Sequence, residues 1–248
     1  MNASPPIQRE PANYTSLGYL RVAAATPSLV IGDAIANAKS ILEQANDLAA
    51  EGVALAVFPE LCLTGYSAED LFFSEALMAD TQNALQHLCA CDIPLLIVGA
   101  PWRLCDGRLI NCAVAIGNHR VLGMIPKTFL PNYSEYYEQR WFASGASVNE
   151  TEVHDALGTF HIRVDQLFRL GDALVGAEIC EDLWAPVNPG THAALAGSNI
   201  VCNLSASNEL VSKADYREDL VRMTSAKSFC AYVYAGAGVM ESTKDVVF

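Results

Sequence analysis

The chain reads as an α/β protein built in layers, and three observations lead there. Of its 248 residues, 52% are hydrophobic and only 17% charged, so most of the chain must bury itself and general disorder is excluded. Short, continuous apolar runs such as residues 53–58 and 95–100 have the length of buried strands, far below the roughly 20 residues a membrane-spanning helix needs. Between such runs lie segments with apolar residues at helical spacing, the alternation expected when helices cover a sheet.

The elements follow in order. Residues 1–18 are polar and Pro-bearing and read as a loose leader, with the ordered domain over residues 19–248. Residues 21–25 read as a first strand. Asp33 is suited to cap a helix whose apolar positions Ile35, Ala38, Leu42, Ala45 and Leu48 follow the 3.6-residue period, with Gly52 ending it. The buried strand 53–58 runs into Pro59-Glu60, where the chain must turn, so a carboxylate sits at a strand end. A second helical pattern covers 76–89, followed by the strand 95–100. Residues 110–116 and 121–125 flank Gly117-Asn118-His119-Arg120 and predict a hairpin, which Pro126 stops just before Lys127. Residues 174–179 form a further apolar run ending in Cys180-Glu181-Asp182, and 200–204 another ending in Ser205-Ala206-Ser207. Residues 216–229 read as a helix and 231–235 as a strand. The final Asp245-Val246-Val247-Phe248 reads as the beginning of a strand, so the domain is expected to be cut short at its C-terminus. No repeat, low-complexity linker or charge run divides residues 19–248, and one domain is expected.

Charge and cysteine usage narrow the function. Fifteen basic against 28 acidic residues leave a net charge of −13, which repels phosphate backbones and anionic lipid, so neither nucleic acid nor membrane is an expected partner. The N-terminus lacks a basic region followed by an apolar one, and a cytoplasmic location is expected. Eight cysteines fall below disulfide-scaffold density, and no pair has zinc-ligand spacing with a nearby His, so no metal is expected. Cys62, Cys202 and Cys230 lie on apolar runs and read as packing, and the five histidines as surface or core residues.

Glu60, Lys127 and Cys180 share one placement, each just beyond an apolar strand, where α/β layers bind ligands. A base, a cation and a thiol are the groups that amide hydrolysis through a covalent intermediate requires. The carboxylate takes the thiol proton, and the ammonium stabilises the anion that forms on the carbonyl oxygen. Position taken by itself would sooner make Cys180 a small buried hydrophobe and Lys127 a solvated head on an apolar stem.

Four segments carry a resemblance: Phe58-Pro59-Glu60-Leu61-Cys62-Leu63-Thr64-Gly65-Tyr66, Pro126-Lys127-Thr128-Phe129-Leu130-Pro131-Asn132-Tyr133, Tyr137-Glu138-Gln139-Arg140-Trp141-Phe142 and Glu178-Ile179-Cys180-Glu181-Asp182-Leu183-Trp184. With Asn203-Leu204-Ser205-Ala206-Ser207 and Glu241-Ser242-Thr243-Lys244-Asp245, they resemble the nitrilase, or carbon–nitrogen hydrolase, superfamily, in order from about residue 20 to 248. Within it the chain is similar to the N-terminal glutaminase domains of glutamine-dependent NAD synthetases. The resemblance implies a four-layer αββα sandwich that pairs into homo-oligomers through helical faces. It implies Glu60 as general base, Lys127 as oxyanion-stabilising cation, Cys180 as nucleophile and Glu138 as support for Lys127, a solvated carboxylate being the alternative for Glu138. It further implies Tyr66, Tyr133, Glu181, Ser207 and Lys213 around L-glutamine. No cofactor is implied for this half; ATP and Mg2+ belong to a C-terminal synthetase domain, absent from this chain, that would amidate deamido-NAD with the released ammonia. A free-standing ω-amidase-like enzyme acting on another small amide remains the alternative, and a non-catalytic assembly module is the third reading.

Overall fold

A computed structural model describes residues 18–149, 151–243 and 245–248; the expected leader lies outside them apart from Gly18. Strands β1 (Val22–Ala24), β2 (Leu55–Val57), β3 (Leu95–Arg103), β4 (Leu109–Gly117), β5 (Arg120–Pro126), β6 (Thr151–Asp155) and β7 (Gly158–Ile162) form one sheet in the order β1-β2-β3-β4-β5-β7-β6. Strands β8 (Phe168–Leu170), β9 (Ala173–Ile179), β10 (Ile200–Ser205) and β11 (Ala231–Gly236) form a second, in the order β11-β10-β9-β8. Helices α1 (Ala34–Ala50) and α2 (Glu75–Leu88) cover the first sheet, and α3 (Pro189–Leu195) and α4 (Lys213–Ser228) lie on the second.

The strand's period of two sorts the core into two slabs. On β3, Leu96, Val98, Ala100 and Trp102 pack with Ala38, Ile41 and Ala45 of α1 and Leu85 and Leu88 of α2. Its neighbours Leu95 and Ile97 pack instead with Val175, Ala177 and Ile179 of β9 and Cys202 and Leu204 of β10. The layers therefore run α, β, β, α. The central strands are buried on both faces, which is why their sequences are continuous apolar runs rather than alternating ones.

Strand directions bring the polar strand ends together. β1, β2 and β3 are parallel. Two antiparallel reversals, β3 to β4 and β4 to β5, return β5 to the direction of β2. The segments after β2 and β5 therefore leave the sheet at one end. The second reversal is the expected hairpin: Asn118 and His119 both adopt positive φ (51° and 57°), the conformation a tight two-residue hairpin turn demands.

Several local expectations hold and some need correction. Asp33 caps α1, accepting the Ala36 N–H at 2.9 Å, and Gly52 follows the helix at φ 80°. The inward face of α1 is Ala34, Ala38, Ile41 and Ala45, however, and Ile35 is 43% exposed. Asn37 turns the helix this way: buried at 1% exposure, it accepts the Val30 N–H and donates to the Val30 and Leu63 carbonyls. Strands β6, β7 and β8 and helix α3 were not foreseen: Thr151–Asp155 is mostly polar and α3 is only 7 residues long. Residues 245–248 are not a strand. Their backbone is tied to turn side chains, Val246 N–H to Thr243 Oγ1 and Phe248 N–H to Ser242 Oγ, rather than to a sheet neighbour.

Candidate active site

Glu60 is delivered by the turn after β2. Pro59 ends the strand, Leu61 takes a positive φ of 52°, and the Leu63 N–H bonds the Gly99 carbonyl on β3 at 3.1 Å. The turn lies so close to β3 that a Cβ at Gly99 would sit 2.2 Å from Leu61 N and 2.4 Å from Pro59 O, so only glycine fits there. The Glu60 side chain is fully buried. Its Oε1 accepts Lys127 Nζ at 2.6 Å and Asn111 Nδ2 at 2.7 Å, and its Oε2 accepts the Ala206 N–H at 3.0 Å.

Lys127 leaves β5 after Pro126, its N–H bonded to the Asn111 carbonyl at 2.8 Å and its own carbonyl accepting the Gly145 N–H at 2.7 Å. Its ammonium is fully buried between Glu60 and Glu138, 2.7 Å from Glu138 Oε1. Glu138 opens a single 3-10 turn, Glu138–Arg140, and is itself buried, not solvated; its Oε1 also accepts the Tyr66 hydroxyl at 2.8 Å. Two carboxylates on one ammonium satisfy a charge that burial would otherwise neutralise. Burial would lower the Lys127 pKa, but Glu138 and Glu60 outweigh it and hold the pKa well above the ordinary value.

Cys180 begins the 3-10 turn Cys180–Trp184 directly after β9, at φ 47°, and is 5% exposed. A non-glycine residue held at positive φ is a strained placement that the surroundings must enforce. Asp182 does so. Its Oδ2 accepts the Ile179 N–H at 2.9 Å, and its Oδ1 accepts the Thr128 and Phe129 N–H groups at 3.1 and 2.7 Å. One carboxyl thereby ties the thiol's turn to the segment after Lys127, joining the two sheets at the site. Burial first, then the Glu60 charge, pushes the Cys180 thiol up to about 12, against Lys127 and a hydrogen bond with Ser205. At neutral pH the resting group is a thiol, and its nucleophilicity depends on a base.

Cys180 opens into a cavity of about 120 Å³ lined also by Tyr133, Tyr136, Glu181, Trp184, Ser207 and Lys213. That is well under the roughly 300–1,000 Å³ of drug-sized pockets, so the occupant is small. Two larger depressions, about 340 Å³ beside Arg103 and Trp141 and about 580 Å³ beside Phe129 and Gln139, do not include Cys180. The cavity wall carries both signs of charge. Tyr133 donates its hydroxyl to Glu181 (2.9 and 3.0 Å to the two oxygens), and the Lys213 ammonium bonds Asn208 Oδ1 and lies 5.5 Å from the Trp184 ring centre.

Of the residues singled out from sequence, Glu60, Lys127 and Glu138 form one bonded cluster, with Cys180 in its field. Tyr133, Glu181, Ser207 and Lys213 share the cavity wall with Cys180, whereas Tyr66 lies behind it with its hydroxyl on Glu138. Asn111, Tyr136 and Trp184 were not singled out. Asn111 did leave a signal, a polar residue inside an otherwise apolar strand. No group of three His, Cys, Asp or Glu that could hold a metal occurs among the described residues, and no described helix is long and apolar enough to cross a membrane.

A buried base–cation–thiol set at the ends of two facing sheets, opening on a small polar cavity, is the equipment of a cysteine hydrolase for small C–N bonds. The chain belongs to the carbon–nitrogen hydrolase family, whose model matches residues 21–246. Among characterised proteins it is similar to the glutamine-dependent NAD(+) synthetases of Mycobacterium tuberculosis, 42% identical over 241 residues, and Mycobacterium leprae, 40% over 246. These matches cover 93% and 95% of this chain but only 35% of each relative, so the chain spans about a third of their length. The solved glutamine-dependent NAD(+) synthetase of Cytophaga hutchinsonii superposes with a TM-score of 0.79 at 30% identity, over 88% of this chain and 36% of that one. An amidase from a Nesterenkonia species shares the fold, with a TM-score of 0.73 at 17% identity over 93% of this chain and 82% of its own.

Proposed function

We propose that this chain is the glutaminase part of a glutamine-dependent NAD synthetase. Cys180 Sγ attacks the side-chain carbonyl carbon of L-glutamine while Glu60 takes the thiol proton. The Lys127 ammonium has three N–H donors, two engaged by Glu60 and Glu138, and the third is available to the oxyanion. Glu60 then passes its proton to the departing nitrogen, the C–N bond breaks, and ammonia leaves a glutamyl thioester. Water, deprotonated by Glu60, adds to the thioester; the C–S bond breaks and glutamate and the thiol are restored. Glu138 keeps Lys127 charged and in place. In the cavity, Glu181 suits the substrate ammonium and Lys213 its carboxylate, with Tyr133 and Ser207 as further polar contacts and Tyr66 supporting Glu138 from behind.

The observation that carries this reading is the thiol of Cys180, buried and protonated at rest, facing a cavity whose wall bears one carboxylate and one ammonium. A free amino acid presents the complementary pair of charges; a simple aliphatic amide does not. The ammonia would pass to a synthetase part holding ATP and Mg2+, which amidates deamido-NAD; the glutaminase chemistry itself uses no cofactor. Self-association is part of the proposal, through the outer layer where Leu195, Met223 and Phe229 leave apolar side chains exposed.

The deciding experiment measures glutamate release from L-glutamine beside a panel of other small amides, for the wild-type chain and Cys180→Ala. Selective hydrolysis of glutamine, lost in the variant, is expected. Undiminished hydrolysis in Cys180→Ala overturns the mechanism, and preference for another amide overturns the substrate.

A further inference from the structure

We propose that Asn111 is a positioning residue that determines which oxygen of Glu60 acts as the base; this rests on the glutaminase reading of the site. Asn111 stands on β4, fully buried, in a strand otherwise made of apolar residues and glycine. Its backbone carbonyl holds the Lys127 N–H at 2.8 Å and its side chain reaches Glu60 Oε1 at 2.7 Å. A carboxylate can only accept, so the amide's NH2 must face Glu60 and its carbonyl oxygen must face away. That Oδ1 is buried with no hydrogen-bond partner in the structure. A residue serving only to fill the strand would avoid such a cost; a leucine is nearly the same shape.

The consequence lies in the count of acceptor sites. An ionised carboxylate offers about four lone-pair directions. Two belong to Oε1, and Lys127 Nζ at 2.6 Å and Asn111 Nδ2 at 2.7 Å occupy both. Oε2 receives only the Ala206 N–H, at 3.0 Å, and keeps one direction open. The proton leaving Cys180 Sγ therefore bonds to Oε2, and the same proton leaves from Oε2 to the departing nitrogen. Without the Asn111 donor, Oε1 regains an open site beside Lys127, where a captured proton is out of line for transfer.

The donor also stabilises the anionic form of Glu60, whose other charged and titratable neighbours are Lys127, the carboxyls of Glu138, Glu181 and Glu241, and the thiol and phenols of Cys180, Tyr66 and Tyr136. Removing that donor takes away a hydrogen bond to a charged group, enough for about a tenfold change in the step it supports.

The test compares the full chain with Asn111→Leu and Asn111→Asp, following the kinetics of glutamate release and, independently of any substrate, the rate of Cys180 alkylation by iodoacetamide. For Asn111→Leu, kcat and the alkylation rate each fall about tenfold, with KM changed less than about threefold. Asn111→Asp, which places a second carboxyl against Glu60, lowers both rates as well. Rates unchanged in the folded variants, or a loss borne wholly by KM, overturn the proposal; if Asn111→Leu does not fold, Asn111→Asp decides. Glutamine hydrolysis surviving in Cys180→Ala would instead overturn the glutaminase reading, whatever the alkylation rates show.

Discussion

Replacing Lys127 by Met tests the electrostatics of the site directly. The ammonium is fully buried, 2.6 Å from Glu60 Oε1 and 2.7 Å from Glu138 Oε1, whose side chains are 0% and 1% exposed. Methionine fills nearly the same volume but leaves two buried carboxyls facing one another with no cation. Breaking a buried pair by removing one partner costs about 3–5 kcal/mol. At about 2–4 °C per kcal/mol for a chain of this size, the melting temperature at pH 8 should fall by about 6–20 °C. Burial and the mutual repulsion of Glu60 and Glu138 already raise the Glu138 carboxyl above its usual range, and Lys127 is what opposes them. In Lys127→Met the folded-state pKa therefore rises further above the unfolded value of about 4.3. A group raised in this way binds more protons folded than unfolded, so its stability is kept below the unfolded pKa and lost as pH rises through the folded one, at up to about 1.4 kcal/mol per pH unit. The deficit should consequently be smaller at pH 5.5 than at pH 8, by about 1–2 kcal/mol. Thermal melts of both proteins at the two pH values measure this. A melting temperature at pH 8 within about 2 °C of wild type, or a deficit independent of pH, would refute the reasoning.

Three further outcomes are expected. Asp182→Ala removes the acceptor of three backbone N–H groups and should lower stability by about 3–5 kcal/mol, with loss of hydrolytic activity as the Cys180 turn and the segment after Lys127 separate; chemical denaturation beside the glutamate assay checks both. Because the Cys180 thiol is pushed up to about 12, its alkylation should depend on Glu60 and slow about 100-fold in Glu60→Gln, read by mass spectrometry of the modified peptide. Under the proposed function, Glu181→Gln should raise KM for glutamine about 10- to 100-fold while changing kcat less, because the cavity wall loses its negative charge; steady-state kinetics separate the two.

Much of the site was legible because its residues follow strands whose apolar runs are unmistakable. Arg120–Pro126 and Ala173–Ile179 hand over directly to Lys127 and Cys180, Leu55–Val57 reaches Glu60 through Phe58 and Pro59, and Pro59 and Pro126 mark two of the exits. Burial of both faces by two layers makes such runs continuous, so the strand ends stand out in a linear reading. The edge of the first sheet was not legible for the opposite reason: β6 alternates polar and half-buried residues and resembles a loop.

The sequence by itself determined the alternation of strands and helices, the hairpin at Asn118-His119 and the chemical kinds of group that Glu60, Lys127 and Cys180 supply, because these depend on local pattern and residue type. Only the tertiary structure decided that Glu138 is buried and shares Lys127 with Glu60, that Tyr66 stands behind Glu138 rather than on the cavity wall, that Asn111 bonds Glu60, and that Asp182 ties the Cys180 turn to the segment after Lys127. Most of those relations join residues far apart in sequence, Glu60 with Asn111 at 51 positions and Thr128 with Asp182 at 54 among them. Contacts at such separations follow from the strand order within the first sheet and from how the two sheets face one another, which no local period records.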